Sequence, residues 1–183
     1  IRDIVVNPTD EPIVDNDMGT LSIDKLSLQG GTLAKVTDGD NSTFAHFAED
    51  PYKGGTIKDY IPIDASLILT FKNPKKLGTI NFVQDSKTDK ITKYALEYTI
   101  DGKNWQEIAK YDGQAAVNED VSALNLTVKA VRIRNLELNL QNDSAGFWWK
   151  VYDFSVSNPA AIEKTFMYTD TWEVYKGTES NLT

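Results

Sequence analysis

The chain has 183 residues, of which 40% are hydrophobic and 25% charged, as expected for one globular domain with flanking segments. It carries 27 acidic and 19 basic residues, and the formal net charge of −8 argues against nucleic acids and anionic membranes as partners. Cysteine is absent and His46 is the single histidine, which excludes disulfides, thiol catalysis and multi-histidine zinc sites. No apolar stretch is long enough to insert into a membrane.

Short β-rich segments recur through the middle of the chain. Asp101-Gly102 is a hairpin signal between two of them. Strands at this spacing, broken by Asp-Gly, Asn-Pro and Gly-Gly, predict an all-β fold, an antiparallel β-sandwich. The predicted strands are residues 66–71, 79–84, 93–100, 105–109, 124–128, 130–136 and 148–156.

The two ends differ from the middle. Residues 1–22 contain two Xaa-Pro pairs and many acids, so we predict an N-terminal linker or arm. Residues 23–157 form the predicted sandwich, and residues 158–183 a C-terminal linker. The final residues faintly echo the segment 34–37, which leaves open the start of a following module as an alternative.

The segment Asp38-Gly39-Asp40-Asn41-Ser42-Thr43 concentrates hard oxygen donors. Two carboxylates, an amide and two hydroxyls suit Ca²⁺, which takes six to eight oxygen ligands. A solvated acidic turn is the alternative. An EF-hand is disfavoured, because Thr43 stands where that loop needs glycine.

Two features could bind a sugar. His46 follows the oxygen-rich loop, and a neutral imidazole can both donate to and accept from a sugar hydroxyl. In the aromatic run Phe147-Trp148-Trp149, strand alternation sends at least one ring into the core and leaves another available to a pyranose face. The alternative is that all three rings pack internally. No glycine-rich phosphate loop, serine elbow or recognisable carboxylate pair indicates an enzyme.

Four stretches, in this order, together resemble discoidin-like modules of the coagulation factor C-terminal type: residues 35–46, 91–105, 131–134 and 148–156. The branch they resemble most is the family 32 carbohydrate-binding modules, which accompany bacterial glycoside hydrolases. The resemblance implies a discoidin-like jelly roll with one structural Ca²⁺ ion.

The resemblance also implies site residues. The calcium ligands would be the side chains of Asp38, Asp40, Thr43 and Asp153 with the carbonyls of Lys35 and Tyr152; Asp153 stands where the family usually has glutamate. The loop after the strand 79–84 lacks the arginine of galactose-binding members. The implied sugar-binding residues are His46, Trp148, Phe147, Tyr52, Gln84 and Asp85.

We therefore expect non-catalytic binding of non-reducing terminal hexose or N-acetylhexosamine, of galactose or N-acetylglucosamine type, on host glycans. The module would be a secreted or bacterial cell-surface monomer in a multimodular chain, and would target an attached glycoside hydrolase. The alternative is a discoidin-like adhesion domain that binds a protein or cell surface without sugar. A catalytic glycosidase domain has only the acid content in its favour.

Overall fold

The computed structural model describes residues 17–50, 59–140 and 148–160, and these fold into strands joined by short loops and two 3-10 turns. Within the described residues, no helix has the length and apolar character needed to cross a membrane. The 3-10 turns are Leu33–Val36 and Ser122–Leu124. The strands are β1 Thr20–Asp24, β2 Leu26–Gly30, β3 Ala45–Glu49, β4 Tyr60–Ile61, β5 Ser66–Lys76, β6 Thr79–Gln84, β7 Lys93–Thr99, β8 Gln106–Asp112, β9 Ala116–Asp120, β10 Thr127–Asn135, β11 Asn139–Leu140 and β12 Trp149–Val156.

Two five-stranded antiparallel sheets form the body of the protein. The first sheet has the strand order β1-β5-β10-β7-β8, and the second has the order β2-β3-β12-β6-β9. The short strands β4 and β11 pair with each other beside them. The predicted antiparallel β-sandwich of discoidin type is therefore confirmed.

The core lies between the two sheets and contains large aromatic side chains. Phe82 of β6 is fully buried and bridges the layers, because its ring contacts Tyr94 of the first sheet and Trp149 and Phe154 of its own. The ring centroids lie 5.3 to 6.2 Å apart in edge-to-face arrangements, which aromatic pairs favour. Of the two tryptophans of the predicted aromatic run, Trp149 is thus the one that enters the core.

One predicted strand differs from the structure. Residues 124–128 were expected to be extended, but Leu124 ends a 3-10 turn and Asn125 adopts φ +52°, so β10 begins only at Thr127. At the N-terminal side, β1 begins at Thr20, inside the segment expected to be an arm, and pairs with β5. This pairing extends the first sheet by one strand.

Candidate functional site

The oxygen-rich loop folds around the hydroxyl of Thr43. Its Oγ1 lies 3.1 Å from the Lys35 carbonyl oxygen, 2.8 Å from Asp38 Oδ2 and 3.1 Å from the Asp40 carbonyl oxygen. A hydroxyl has one hydrogen and can donate to one acceptor at a time, so these three oxygens exceed what Thr43 can satisfy. A cation would complement this surplus of oxygens.

The carboxylate of Asp40 is bonded within the loop. Its Oδ1 accepts a hydrogen bond from the Ser42 backbone N–H at 2.8 Å, and hydrogen bonding by Ser42 holds the pKa of Asp40 below its usual value. The Asp40 atom that contacts Thr43 is its carbonyl oxygen. In this geometry the backbone oxygen of Asp40 is near Thr43, and the role of the Asp40 side chain as a metal ligand stays a prediction.

Asp153 of β12 contributes a buried carboxylate beside the loop. It is 2% exposed, and its Oδ2 accepts hydrogen bonds from Asn81 Nδ2 and from Ser155 Oγ at 2.8 Å. Its Oδ1 is buried and has no hydrogen-bond partner. Burial, with the nearby charge of Asp38, raises the pKa of Asp153 above its usual value.

A bulge in β12 falls at the residue before Asp153. The register against β6 shifts between Val151 and Asp153, so Tyr152 has no partner residue on that strand. Lys35, Asp38, Thr43, Tyr152 and Asp153 therefore belong to one corner, where β12 packs against the turn Leu33–Val36. No group of three His, Cys, Asp or Glu side chains in the described ranges could hold a metal ion, so the donors here are two carboxylates with carbonyl and hydroxyl oxygens.

A patch of rings lies on the outer face of the second sheet. Antiparallel pairing places Lys150 of β12 opposite His46 of β3. The His46 ring lies 5.1 Å from the Phe44 ring and 5.6 Å from the Trp148 ring, centroid to centroid. The Lys150 ammonium nitrogen stands 4.1 Å from the centre of the Phe44 ring and 5.1 Å from that of Tyr152. We call Phe44, His46, Trp148, Lys150 and Tyr152 the aromatic patch.

His46 is partly covered within this patch. Its side chain is 20% exposed, and Nε2 is buried without a hydrogen-bond partner, 3.7 Å from Asp89 Oδ2. Burial lowers the pKa of His46, against the opposing effect of the Asp89 carboxylate. The imidazole is therefore neutral at physiological pH, and Asp89 covers the nitrogen that a ligand would use.

Trp148 is oriented by a second carboxylate. Its Nε1–H donates to Asp59 Oδ2 at 2.6 Å, and Asp59 is 7% exposed. The half-buried indole is thus fixed at its polar edge while it meets His46 edge to face. His46 and Trp148, both predicted from the sequence, are brought together by the fold.

The two predicted residues at the end of β6, Gln84 and Asp85, have structural roles. Gln84 is 2% exposed; its amide bonds both the N–H and the carbonyl of Ile91 and accepts from Trp149 Nε1. This burial does not fit the predicted sugar contact, because the Gln84 side chain has no free face toward solvent. Asp85 Oδ2 accepts hydrogen bonds from the backbone N–H groups of residues 87, 88 and 89. Burial raises the pKa of Asp85, but these hydrogen bonds and the positive charge of Lys150 outweigh burial, so the pKa lies below its usual value.

A shallow hollow of about 370 Å³ separates the oxygen-rich loop from the turn that Asp85 caps. Tyr152, Asp85, Ser86 and Asn41 line it, and Tyr152 also belongs to the aromatic patch. The hollow therefore continues the patch toward the oxygen-rich corner. Tyr52 and Phe147, the remaining predicted sugar contacts, lie outside the described residues.

Sequence reasoning missed four residues of this region: Phe44, Lys150, Asp59 and Asp89. Strand alternation was the available signal for two of them, because Phe44 precedes His46 by two residues and Lys150 follows Trp148 by two. The contacts of Asp59 and Asp89 depend on loop positions that carry no such signal.

The sequence profile of the F5/8 type C domain family matches residues 22–154. The chain belongs to this family. The match spans both sheets, the oxygen-rich loop and the aromatic patch. No curated protein matches the chain in sequence.

Several solved structures share the fold. A chitosan-binding module of Paenibacillus sp. IK-5, solved with chitotriose, has a TM-score of 0.56 at 14% identity and covers 76% of this chain and 96% of its own. The module CpGH89CBM32-5 of Clostridium perfringens, solved with GalNAc-β-1,3-galactose, has a TM-score of 0.52 at 16% identity and covers 74% of this chain and 94% of its own. The lectin domain of lectinolysin, solved with Lewis B antigen, has a TM-score of 0.54 at 12% identity and covers 78% of this chain and 94% of its own. These TM-scores, at such low sequence identities, show a common fold.

Proposed function

We propose that this F5/8 type C domain binds carbohydrate without cleaving it, through the aromatic patch. The observation that carries the proposal is the pairing of Trp148, oriented by Asp59, with the neutral imidazole of His46. An indole offers a flat apolar surface to a pyranose ring, and polar neighbours bind its hydroxyls. Structures of the same fold that contain chitotriose, a GalNAc disaccharide or Lewis B antigen support this choice of ligand class.

Ligand entry requires a small rearrangement at Asp89. The Asp89 side chain is 34% exposed, so its carboxylate can rotate toward water and uncover His46 Nε2. A sugar hydroxyl would then find an imidazole nitrogen and a carboxylate side by side. Such shallow sites give dissociation constants of roughly 10 μM to 1 mM.

We also propose that the oxygen-rich corner binds a structural Ca²⁺ ion. The unpartnered Oδ1 of Asp153 and the oxygens crowded around Thr43 Oγ1 fit a hard cation. Asp38 and Asp153, the carbonyl oxygens of Lys35 and Asp40, and Thr43 Oγ1 would hold it, with the carbonyl of Tyr152 available at the bulge. The ion would neutralise two neighbouring carboxylates and tie the loop to β12.

The wider role that we propose is targeting. A module that recognises non-reducing terminal hexose or N-acetylhexosamine would hold an attached, secreted glycoside hydrolase close to host glycans. Weak single sites suit this role, because tandem modules gain strength through effective concentration. The module would act as a monomer within such a chain.

The test is a glycan array with Ca²⁺ present, followed by calorimetric titration of the best ligand. We expect Trp148→Ala and His46→Ala to weaken binding at least about tenfold, and Lys110→Gln, an exposed change on the first sheet, to leave it unchanged. The proposal fails if no glycan binds, or if both patch variants bind as the parent does.

An adhesion domain is the second candidate function. The covered Nε2 of His46 favours it, because the conformation described does not present that nitrogen to a ligand. Cell or protein binding that survives Trp148→Ala, His46→Ala and enzymatic removal of surface glycans would establish this alternative.

A further inference from the structure

The outer face of the first sheet carries a second concave surface, away from the aromatic patch. A groove of about 470 Å³ runs across β1, β5 and β10 to the loop between β7 and β8. This volume lies within the range of small-molecule and saccharide sites. We call it the Trp105 groove; its lining includes Trp105, Ser22, Thr70, Thr99, Lys72 and Lys129.

The Trp105 ring, which forms the aromatic side of the groove, is held in place by Arg132. The Arg132 guanidinium carbon lies 4.2 Å from the centre of the half-buried Trp105 ring. Arg132 Nε in turn donates to Glu97 Oε2 at 2.6 Å, and Glu97 is also bound by Arg134 at 2.7 Å. The indole therefore rests on a fixed cation, and little side-chain entropy remains to be lost when a ligand packs against it.

The polar lining of the groove matches a polyhydroxylated ligand. Ser22 and Thr70 carry hydroxyls on the neighbouring strands β1 and β5, whereas Thr99 is buried and its hydroxyl is bonded to Asp101 and Gly102 within its own loop. Thr70 is exposed, and the Ser22 hydroxyl makes only a long contact of 3.4 Å with the Ile68 carbonyl. An indole beside such hydroxyls is the combination that accommodates a pyranose, apolar on one face and hydroxylated at its rim.

The charge of the groove is opposite to that of the whole chain. Lys72 and Lys129 line it, and none of its lining residues, all within the described ranges, is a carboxylate. The nearby carboxylate of Asp101 is turned into its own loop, where it accepts the backbone N–H groups of Lys103 and Asn104. Asp17 similarly accepts the backbone N–H of Lys72. In a chain of net charge −8, this local positive lining favours an anionic ligand.

We propose that the Trp105 groove is a binding site for an acidic saccharide chain, whose uronate carboxylates pair with Lys72 and Lys129 while one sugar ring packs on Trp105. The site is independent of the aromatic patch, which lies on the other sheet, and of the calcium corner. A groove along a sheet face suits the interior of a chain, whereas the aromatic patch is proposed to bind chain ends.

The experiment uses the whole chain and a defined probe, an oligogalacturonate of four units, with its fully methyl-esterified form as the uncharged control. Calorimetric titration at low salt should give a dissociation constant of about 0.1 to 1 mM for the acid. The ester should bind roughly tenfold more weakly, because it cannot form charge-assisted hydrogen bonds with the two lysines.

Three variants locate the bound acid on the surface of the protein. Trp105→Ala and the double change Lys72→Gln with Lys129→Gln should each weaken binding at least about tenfold, while Trp105→Tyr retains most of it. His46→Ala and Lys87→Gln are the controls and should leave binding unchanged. Both groove lysines are exposed, so their double variant keeps the test valid if Trp105→Ala does not fold.

Three results would overturn the proposal. One is the absence of saturable binding up to about 10 mM acid, which is too weak for a built site. Another is binding that Trp105→Ala does not change and that dextran sulfate reproduces, which would reflect charge alone. The last is binding abolished by His46→Ala, which would place the acid in the aromatic patch and leave the proposed function of that patch intact.

Discussion

Two buried carboxylates, one on each sheet, show how differently the fold treats a buried charge. Glu97 of β7 is 5% exposed and Asp153 of β12 is 2% exposed. Glu97 receives hydrogen bonds from Arg132 and from two nitrogens of Arg134. Asp153 receives neutral donors on one oxygen and none on the other.

The pKa values of the two groups shift in opposite directions. Burial raises the pKa of both, but the two arginines outweigh burial at Glu97 and hold its pKa below the usual value. At Asp153, burial and the charge of Asp38 together keep the pKa raised. The first sheet thus supplies its own counter-charge, whereas no basic side chain of the described residues forms an ion pair with Asp153, which is the electrostatic reason to propose a cation there.

The largest predicted effect removes the counter-charge arrangement of the first sheet. Glu97→Gln leaves Arg132 and Arg134, 18% and 24% exposed, without their shared carboxylate, and should lower the free energy of unfolding by about 3 kcal/mol. Urea unfolding measures this loss. Because the folded pKa of Glu97 is lowered, its contribution is complete above the usual value of 4.5 and is lost as pH falls through the folded value.

The control for this prediction is an exposed ion pair on the same sheet. Glu107→Gln separates Glu107 from Lys110, whose side chains are 43% and 60% exposed, and should cost less than about 0.5 kcal/mol. Equal losses for the two variants would show that Glu97 is not the organising charge of this face.

The next largest effect is the change in stability when the proposed Ca²⁺ ion of the second sheet is added or removed. If Ca²⁺ is present at about 100 times its dissociation constant, it adds about 2.7 kcal/mol of stability. Chelation should then lower Tm by roughly 5 to 10 °C, as read by calorimetry. Asp153→Asn should abolish the response to chelator, because it removes the unpartnered oxygen.

The direction in which Asp153→Asn changes stability in the absence of metal further distinguishes Asp153 from Glu97. Without metal, the raised pKa of Asp153 means that this group stabilises the fold below the usual value of 3.8 and that the contribution is lost as pH rises through the folded value. At neutral pH, Asp153→Asn should therefore melt no lower than the calcium-free parent. The cation site would be contradicted if elemental analysis finds no calcium in the parent protein and if neither added calcium nor EDTA changes its Tm.

A smaller effect concerns the backbone that brings Phe44 and His46 to the surface. Gly31 has φ +77°, and a β-carbon there would lie 2.3 Å from the Phe44 carbonyl oxygen. Gly31→Ala should cost about 2 kcal/mol in urea unfolding and disturb the aromatic patch. Gly113→Ala, at φ +83° with nothing within 4 Å, isolates the cost of the dihedral alone, about 1 kcal/mol. Matching losses would show that the close approach to Phe44 is unimportant.

The parts of the fold that the sequence predicted are those rich in apolar, β-branched and aromatic residues. The segments at 66–71, 79–84 and 93–100 carry several buried apolar residues each, and all three are strands. β1 and β9 were missed because each has a single buried residue among its five, so no periodic signal exists. Their extended conformation comes from pairing with β5 and β6, which is a long-range effect.

The same distinction separates local from distant site residues. The oxygen-rich loop was predicted because its donors are adjacent in sequence, and it does bring Asp38 to Thr43. Gln84 could have been assigned to the core, since Ile80, Phe82 and Gln84 alternate on the inward face of β6. Contacts such as Trp148 with Asp59 join residues 89 positions apart, and only the folded chain reveals them.

The smallest effect tests the electrostatics of the patch through pH. Because burial lowers the pKa of His46, the imidazole stays neutral through its usual value of 6.5, and affinity for a neutral sugar should be constant from about pH 8 down to that point. Below it, protonation draws His46 toward Asp89 and removes an acceptor, so affinity should fall by roughly tenfold.

The same lowered pKa makes the unfolded chain bind the proton first, so stability should also decline as pH falls from 6.5 toward the folded value. Calorimetric titration across this pH range, at saturating Ca²⁺, measures the loss of sugar affinity. His46→Gln should remove this pH dependence of the affinity and leave any pH dependence that comes from the metal corner. An affinity that stays flat across the pH range in which NMR shows the His46 imidazole becoming protonated would mean that His46 does not contact the sugar, and binding would then rest on Trp148 and its aromatic neighbours.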